Sequence, residues 1–301
     1  MKSSNASTPA VLAGVSVYLM WGFVAEYFQA IIDRGVPATV LLAHRVVWST
    51  AFCAVLVLAT RDTARLKEMV SNRNRLTRLA LCAVLIAINW LSFIYAIQTH
   101  QRTDAALGYF INPLMTVAMG VLILGERLSV VKWVCVALAA IGVTMIVSQS
   151  GGRLPWIALT ISLSFAFYGL VRKRISVQPV LGLTVETAIL FPAAIVYLVW
   201  AQVTNPIHVS LGTYGLLALA GVVTAIPLLL FGYAARHLTL GTMGFLQYIG
   251  PTCQLLMAVL VRHEPIRNRL GGFVLIWIAL AVFSLSAVRW RRIDAAAEAG
   301  M

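Results

Sequence analysis

In this 301-residue chain 60% of residues are hydrophobic and only 11% charged, with a mean hydropathy of +0.89, so polar groups are too few to cover a soluble surface and lipid must supply most of the solvent. The net charge of +13 would point to nucleic acid in a soluble protein. Here the basic residues sit mostly in short gaps between apolar runs, where they orient a membrane protein, and nucleic acid is set aside as a partner.

A spanning helix needs roughly 20 mostly apolar residues. In chain order the apolar windows predict about ten transmembrane helices, over 10–32, 38–60, 78–98, 103–123, 130–147, 154–172, 181–202, 213–235, 239–261 and 270–289. The first run continues past the length of a signal-peptide core, so no cleavable leader is expected. Between the second and third windows, Arg61 to Arg78 is arginine-rich and long enough for a short surface helix. Cys53, Cys82, Cys135 and Cys253 all fall within apolar runs without a CxxC pair, and read as buried thiols rather than a disulfide framework or metal site. With both termini cytoplasmic, 16 of the 23 Lys and Arg residues lie on the inner side. Arg34, Arg45, Arg102, Arg153, Arg262, Arg267 and Arg269 do not, and the basic loop 262–269 runs against the bias.

The chain repeats itself at an offset of 138. Phe93–Glu126 laid over Phe231–Glu264 without gaps gives nine identities in 34 positions, among them Tyr95/Tyr233, Ile111/Ile249, Pro113/Pro251 and Glu126/Glu264. Residues 1–150 and 151–290 would each form a five-helix repeat, with a polar tail over 291–301. Because five is odd, the second copy enters from the opposite face, which gives the inverted topology of many secondary transporters.

The strings AHRVVWS (43–49), INW (88–90), GYFINPL (108–114), GERL (125–128), SFAFYGLVRKR (164–174), VETAILFP (185–192) and FLQYIGPT (245–252) resemble RarD-type permeases, EamA proteins of the drug/metabolite transporter superfamily. The resemblance covers nearly the whole chain. It implies an all-α fold of two inverted five-helix repeats in the bacterial cytoplasmic membrane and a transport activity, with no substrate attached. One departure lies in the first helix, which in such proteins reads WG-x-x-P-x-YF-x-K. Here Ala25 stands at the proline, Gln29 at the lysine, and Glu26 adds an acid.

Charged groups at membrane depth cost about 2.5–3.5 kcal/mol each on insertion scales, so those present usually face a cavity or a partner. Glu26, His44, Arg45 and Glu186 are such groups. The Arg45 fork suits an anionic substrate group or a pairing with Glu186, and Glu26 or Glu186 is the candidate proton-coupling carboxylate. Alternatively, His44 and Arg45 snorkel to the interface. Pro113 and Pro251 interrupt matched helices, the best sequence pointer to a transporter site, and Pro227 belongs with them; simple packing kinks are the competing reading. Asn89, Trp90, Tyr109, Asn112, Gln247 and Tyr248 could offer hydrogen bonds or ring faces to a ligand. Trp48 and Tyr168 are candidate pocket walls, against the commoner role of aromatics in interface belts. Arg172, Lys173 and Arg174 read as an orienting cytoplasmic cluster, and Glu126 and Glu264 as helix-end caps or loop ion pairs.

No GxxxxGK[ST], HExxH or GxSxG motif occurs, and acids are too few for metal-dependent lipid chemistry. The expectation is a non-enzymatic, cofactor-free secondary transporter of a small molecule, driven by protons or by exchange, with membrane lipid as its surroundings. The alternatives are a passive pore or scaffold and, with less support, a membrane-embedded lipid-modifying enzyme.

Overall fold

The computed structural model describes residues 8–99, 102–148, 156–260 and 270–299. Lys2, Arg153, Arg262, Glu264, Arg267 and Arg269 therefore lie outside the described residues. The helices are α1 (Thr8–Ile32), α2 (Ala38–Ala59), α3 (Thr63–Ser71), α4 (Arg73–Gln98), α5 (Arg102–Leu124), α6 (Val130–Ser148), α7 (Trp156–Arg174), α8 (Pro179–Thr204), α9 (Leu211–His237), α10 (Leu240–Gln247), α11 (Ile249–Leu260) and α12 (Leu270–Ala299). The short helix expected in the arginine-rich loop is α3. α1 runs unbroken through Ala25, the position where the resembled motif carries proline.

Among the described residues seven helices are long and apolar enough to cross a membrane: α1, α2, α4, α5, α6, α8 and α9. The chain is a multi-pass membrane protein. Three of the expected spans fall short of that standard for local reasons. The last turn of α7 carries Arg172, Lys173 and Arg174. The ninth span is divided at Tyr248 into α10 and α11, of 8 and 12 residues. In α12 the apolar stretch among the described side chains is Leu270–Ser286.

The halves interlock. α1 packs on α9, α10 and α11; α2 on α8 and α9; α4 on α7 and α8; α5 on α7 and α10; α6 on α12. Apart from the short α3, which packs on α4, each main partner of a first-half helix is thus a second-half helix, so the core lies between the halves and not within either. Glycine sets the closest approach: a Cβ on Gly221 of α9 would come within 2.6 Å of the Ser49 backbone nitrogen on α2, and Ser49 Oγ donates to Gly221 O at 2.9 Å.

Candidate functional site

The register of α1 along α10 and α11 fixes where the site opens. Leu246 lies against Gly14, the Tyr18 carbonyl against Gly250, and Cys253 against Gly22. α1 therefore runs parallel to the broken helix, and its C-terminal residue Ile32 lies toward the end of the bundle opposite Leu240. Between these helices and α2, α4, α5, α7 and α9 is a cavity of about 410 Å³ that extends from Tyr18 to Ile32. That volume is within the usual range for small-molecule sites.

Among the described residues Arg45 is its one basic lining residue. Its Nε donates to Thr224 Oγ1 on α9 at 2.9 Å, and its guanidinium carbon lies 4.3 Å from the Phe28 ring centre and 4.8 Å from that of Trp90. The two rings and the threonine hold the side chain in place, an arrangement that favours the cation by interaction with the ring faces. Asn89 of α4 also lines the cavity, and its amide nitrogen donates to Ile161 O at 2.8 Å and Ser164 Oγ at 3.3 Å, fastening α4 to α7. Gln247 donates to Thr116 Oγ1 at 3.0 Å and joins the end of α10 to α5. Tyr109, packed edge-on to Phe93, and Asn112 complete the polar wall from α5. Asn112 is 7% exposed, and its Oδ1 accepts no hydrogen bond among the described residues.

Arg45, Asn89, Trp90, Tyr109, Asn112 and Gln247, together with Glu26 and Pro251, are brought to one cavity. Five other sequence candidates are placed elsewhere. His44 is half-buried beside Tyr214, with ring centres 6.5 Å apart, and Trp48 is 41% exposed. Tyr248 is buried where α10 ends, in a cluster with Phe245 and Phe283. Tyr168 and Glu186 form a separate buried group: Tyr168 donates to Glu186 Oε2 and Arg172 Nη1 to Glu186 Oε1, both at 3.1 Å. Glu186 therefore pairs with Arg172 of α7 and not with Arg45. Of the cluster Arg172, Lys173 and Arg174, Arg172 turns inward: it is only 3% exposed and its guanidinium fills the space that Cβ atoms on Gly182 and Gly232 would need. Pro113 and Pro227 lie inside continuous helices, and of the three named prolines only Pro251 accompanies a break.

Sequence reading missed Tyr18, Phe28, Phe165 and Thr224 as lining residues. The buried trio had a legible signal, because Tyr168 and Arg172 are four apart and share one face of α7.

The end of the bundle away from Ile32 is tied by polar contacts. Glu126, just beyond α5, accepts from Leu240 N at 2.7 Å and Gly241 N at 2.9 Å, capping α10 with a carboxylate. Arg174 donates to Ile123 O, Lys173 to the carbonyls of Ala235 and Leu238, and Arg236 to Val177 O.

A cavity walled by both halves of a multi-pass bundle and lined by a held cation fits a membrane transporter, the class to which the relatives below belong. The chain belongs to the EamA-like transporter family, as a RarD-type permease. Residues 8–148 match that family. Protein RarD of Escherichia coli (strain K12) is 42% identical over 286 residues, covering 94% of this chain and 96% of that one. An uncharacterized transporter of Vibrio cholerae serotype O1 is 42% identical over 283 residues, covering 93% of each. One solved crystal structure, 19% identical, superposes with a TM-score of 0.67 over 93% of this chain and 98% of its own, which shows a shared fold.

Proposed function

We propose that the chain is a secondary-active permease that moves a small molecule across the bacterial cytoplasmic membrane by alternating access, with ten spans in two inverted repeats and both termini cytoplasmic. The observation that carries this reading is the pairing of helices. Matching α1, α2, α4, α5 and α6 with α7, α8, α9, α10–α11 and α12 sends α1·α9 to α7·α4, α2·α9 to α8·α4, and α1·α11 to α7·α5. The pairs α2·α8, α5·α10 and α6·α12 map onto themselves. Exchange of the halves carries these main helix pairs onto one another, as expected for two repeats about a pseudo-two-fold axis in the membrane plane. The state described has the basic, proposed cytoplasmic end tied shut.

In this scheme Arg45 holds the substrate. Glu26, which lines the same cavity, is the acid placed to exchange protons with it. Glu186 is ion-paired with Arg172 outside that cavity. The test is uptake of a metabolite mixture into liposomes carrying the purified protein, with and without a pH gradient. Accumulation that collapses with the gradient supports proton coupling, and accumulation indifferent to it supports exchange or facilitated movement. Arg45→Ala should abolish uptake while inserting normally; full activity in that variant would remove Arg45 from the substrate site. Glu26→Gln should lose the pH dependence and retain counterflow.

A further inference from the structure

We infer that the ligand of the central cavity is a small organic monocarboxylate with a flat apolar body and a hydrogen-bond donor, its carboxylate on the Arg45 terminal nitrogens and its donor on Asn112 Oδ1. The ligand class rests on the cavity being the transport site.

The carboxylate follows from how Arg45 is held. Nε is occupied by Thr224, and Phe28 and Trp90 fix the guanidinium from its π contacts. The two terminal NH2 groups make no hydrogen bond and belong to neither ion pair among the described residues. A guanidinium held in this way presents donors whose spacing fits the two oxygens of a carboxylate. The single charge follows from the balance of the lining. Among the described residues Arg45 is the one basic lining residue, so a phosphate dianion or dicarboxylate would bring more negative charge than that single cation matches.

The apolar body follows from the walls, where Tyr18, Trp21, Phe93 and Phe165 surround the space between the polar groups. The donor follows from Asn112. A carbonyl oxygen 93% buried without a partner is a costly feature of a folded protein, and a ligand O–H or N–H removes that cost. Gln247 does not compete for this role, because its amide is already bonded to Thr116.

The test uses the purified full-length chain in nanodiscs, where Trp21 and Trp90 report occupancy by fluorescence. The probes are 3-(4-hydroxyphenyl)propionate, 3-phenylpropionate and 3-phenylpropionamide. The hydroxylated acid should bind most tightly and the neutral amide at least about tenfold more weakly, as expected for loss of a charge-assisted hydrogen bond. Arg45→Gln should erase the difference between acid and amide. Asn112→Leu should weaken the hydroxylated acid about three- to tenfold and leave 3-phenylpropionate unchanged. Equal binding of acid and amide would overturn the inference, as would preference for benzylphosphonate or absence of binding by both acids. The wild-type comparison does not depend on any variant folding. Binding in the expected order without uptake into liposomes would keep the ligand class and defeat the permease reading. Gradient-driven uptake of other compounds, with no binding of these acids, would do the reverse.

Discussion

Arg45 and Arg172 have the same side chain, one half-buried and the other buried, and opposite uses. The Arg172 guanidinium is spent: Glu186 takes it at 3.1 Å, Tyr168 shares the carboxylate, and two glycines make room for it. Its Nε is still buried without a partner, so the trio is held by packing as much as by satisfied bonds. Removal of one member of a buried ion pair leaves the other charge uncompensated, at a cost of about 3–5 kcal/mol, whereas apolar replacement of both is often neutral. Glu186→Gln should therefore lower the melting temperature in detergent markedly, and the pair Arg172→Met with Glu186→Leu should recover most of the loss. A Glu186→Gln protein of wild-type stability with altered pH dependence of uptake would instead return Glu186 to the proton pathway. Arg45 has no such partner, which is why its substitution should cost transport more than stability.

At the scale of the helix, the informative difference is between α5 and its counterpart. Proline removes an N–H and frees the carbonyl four residues back. Pro113 does this within a continuous α5, while Pro251 follows a true break at Tyr248, with Gly250 against the Tyr18 carbonyl of α1. Sequence matching could pair the two prolines but could not tell which helix would part, because that depends on the neighbours. The half-helix α10 is held at both ends, by the Glu126 carboxylate on Leu240 and Gly241 and by Gln247 on Thr116. Pro251→Ala would return an N–H to the Gln247 carbonyl and favour one straight helix. The expected result is a stability gain of up to about 1 kcal/mol with slower uptake, read by thermal unfolding and by initial rates in liposomes. An equally fast variant would show that the break only serves packing.

For the molecule as a whole, periodicity and charge were enough to place the seven helices long and apolar enough to span a membrane and the short helix α3 among the described residues, since both signals are written in residue types at regular spacing. The sharing of the core between halves was not legible, nor was the inward turn of Arg172, because both depend on which faces meet. The candidate site was legible where polar residues stood alone in apolar helices, as Arg45, Asn89 and Asn112 do. It was not legible where aromatic residues such as Phe28 and Phe165 resemble any lipid-facing ring.

In the proposed alternating-access cycle the same scale governs how the cavity would change sides. Its basic end is closed by Glu126 on α10, Arg174 on Ile123, Lys173 on Ala235 and Leu238, and Arg236 on Val177. Glu126 and Arg174 join the end of α5 to α10 and α7 across the two halves, and Lys173 and Arg236 brace α7 against α9 at the same end, so in the proposed cycle they bias the equilibrium between open states. Each exchange of a polar contact for water is worth on the order of 1 kcal/mol, and loss of three should shift a two-state balance by about two orders of magnitude. The combined variant Glu126→Gln, Lys173→Met and Arg174→Gln should therefore open toward the basic end. The readout is a cysteine at Val223, a cavity-lining position, in a chain whose four native cysteines are replaced by serine or alanine. In the otherwise native chain a membrane-impermeant thiol reagent should label it from the side of Ile32, and in the triple variant from the side of Glu126. Labelling from the Ile32 side alone in both would mean that these contacts do not form the gate, and that apolar packing of α5 on α10 closes the basic end by itself.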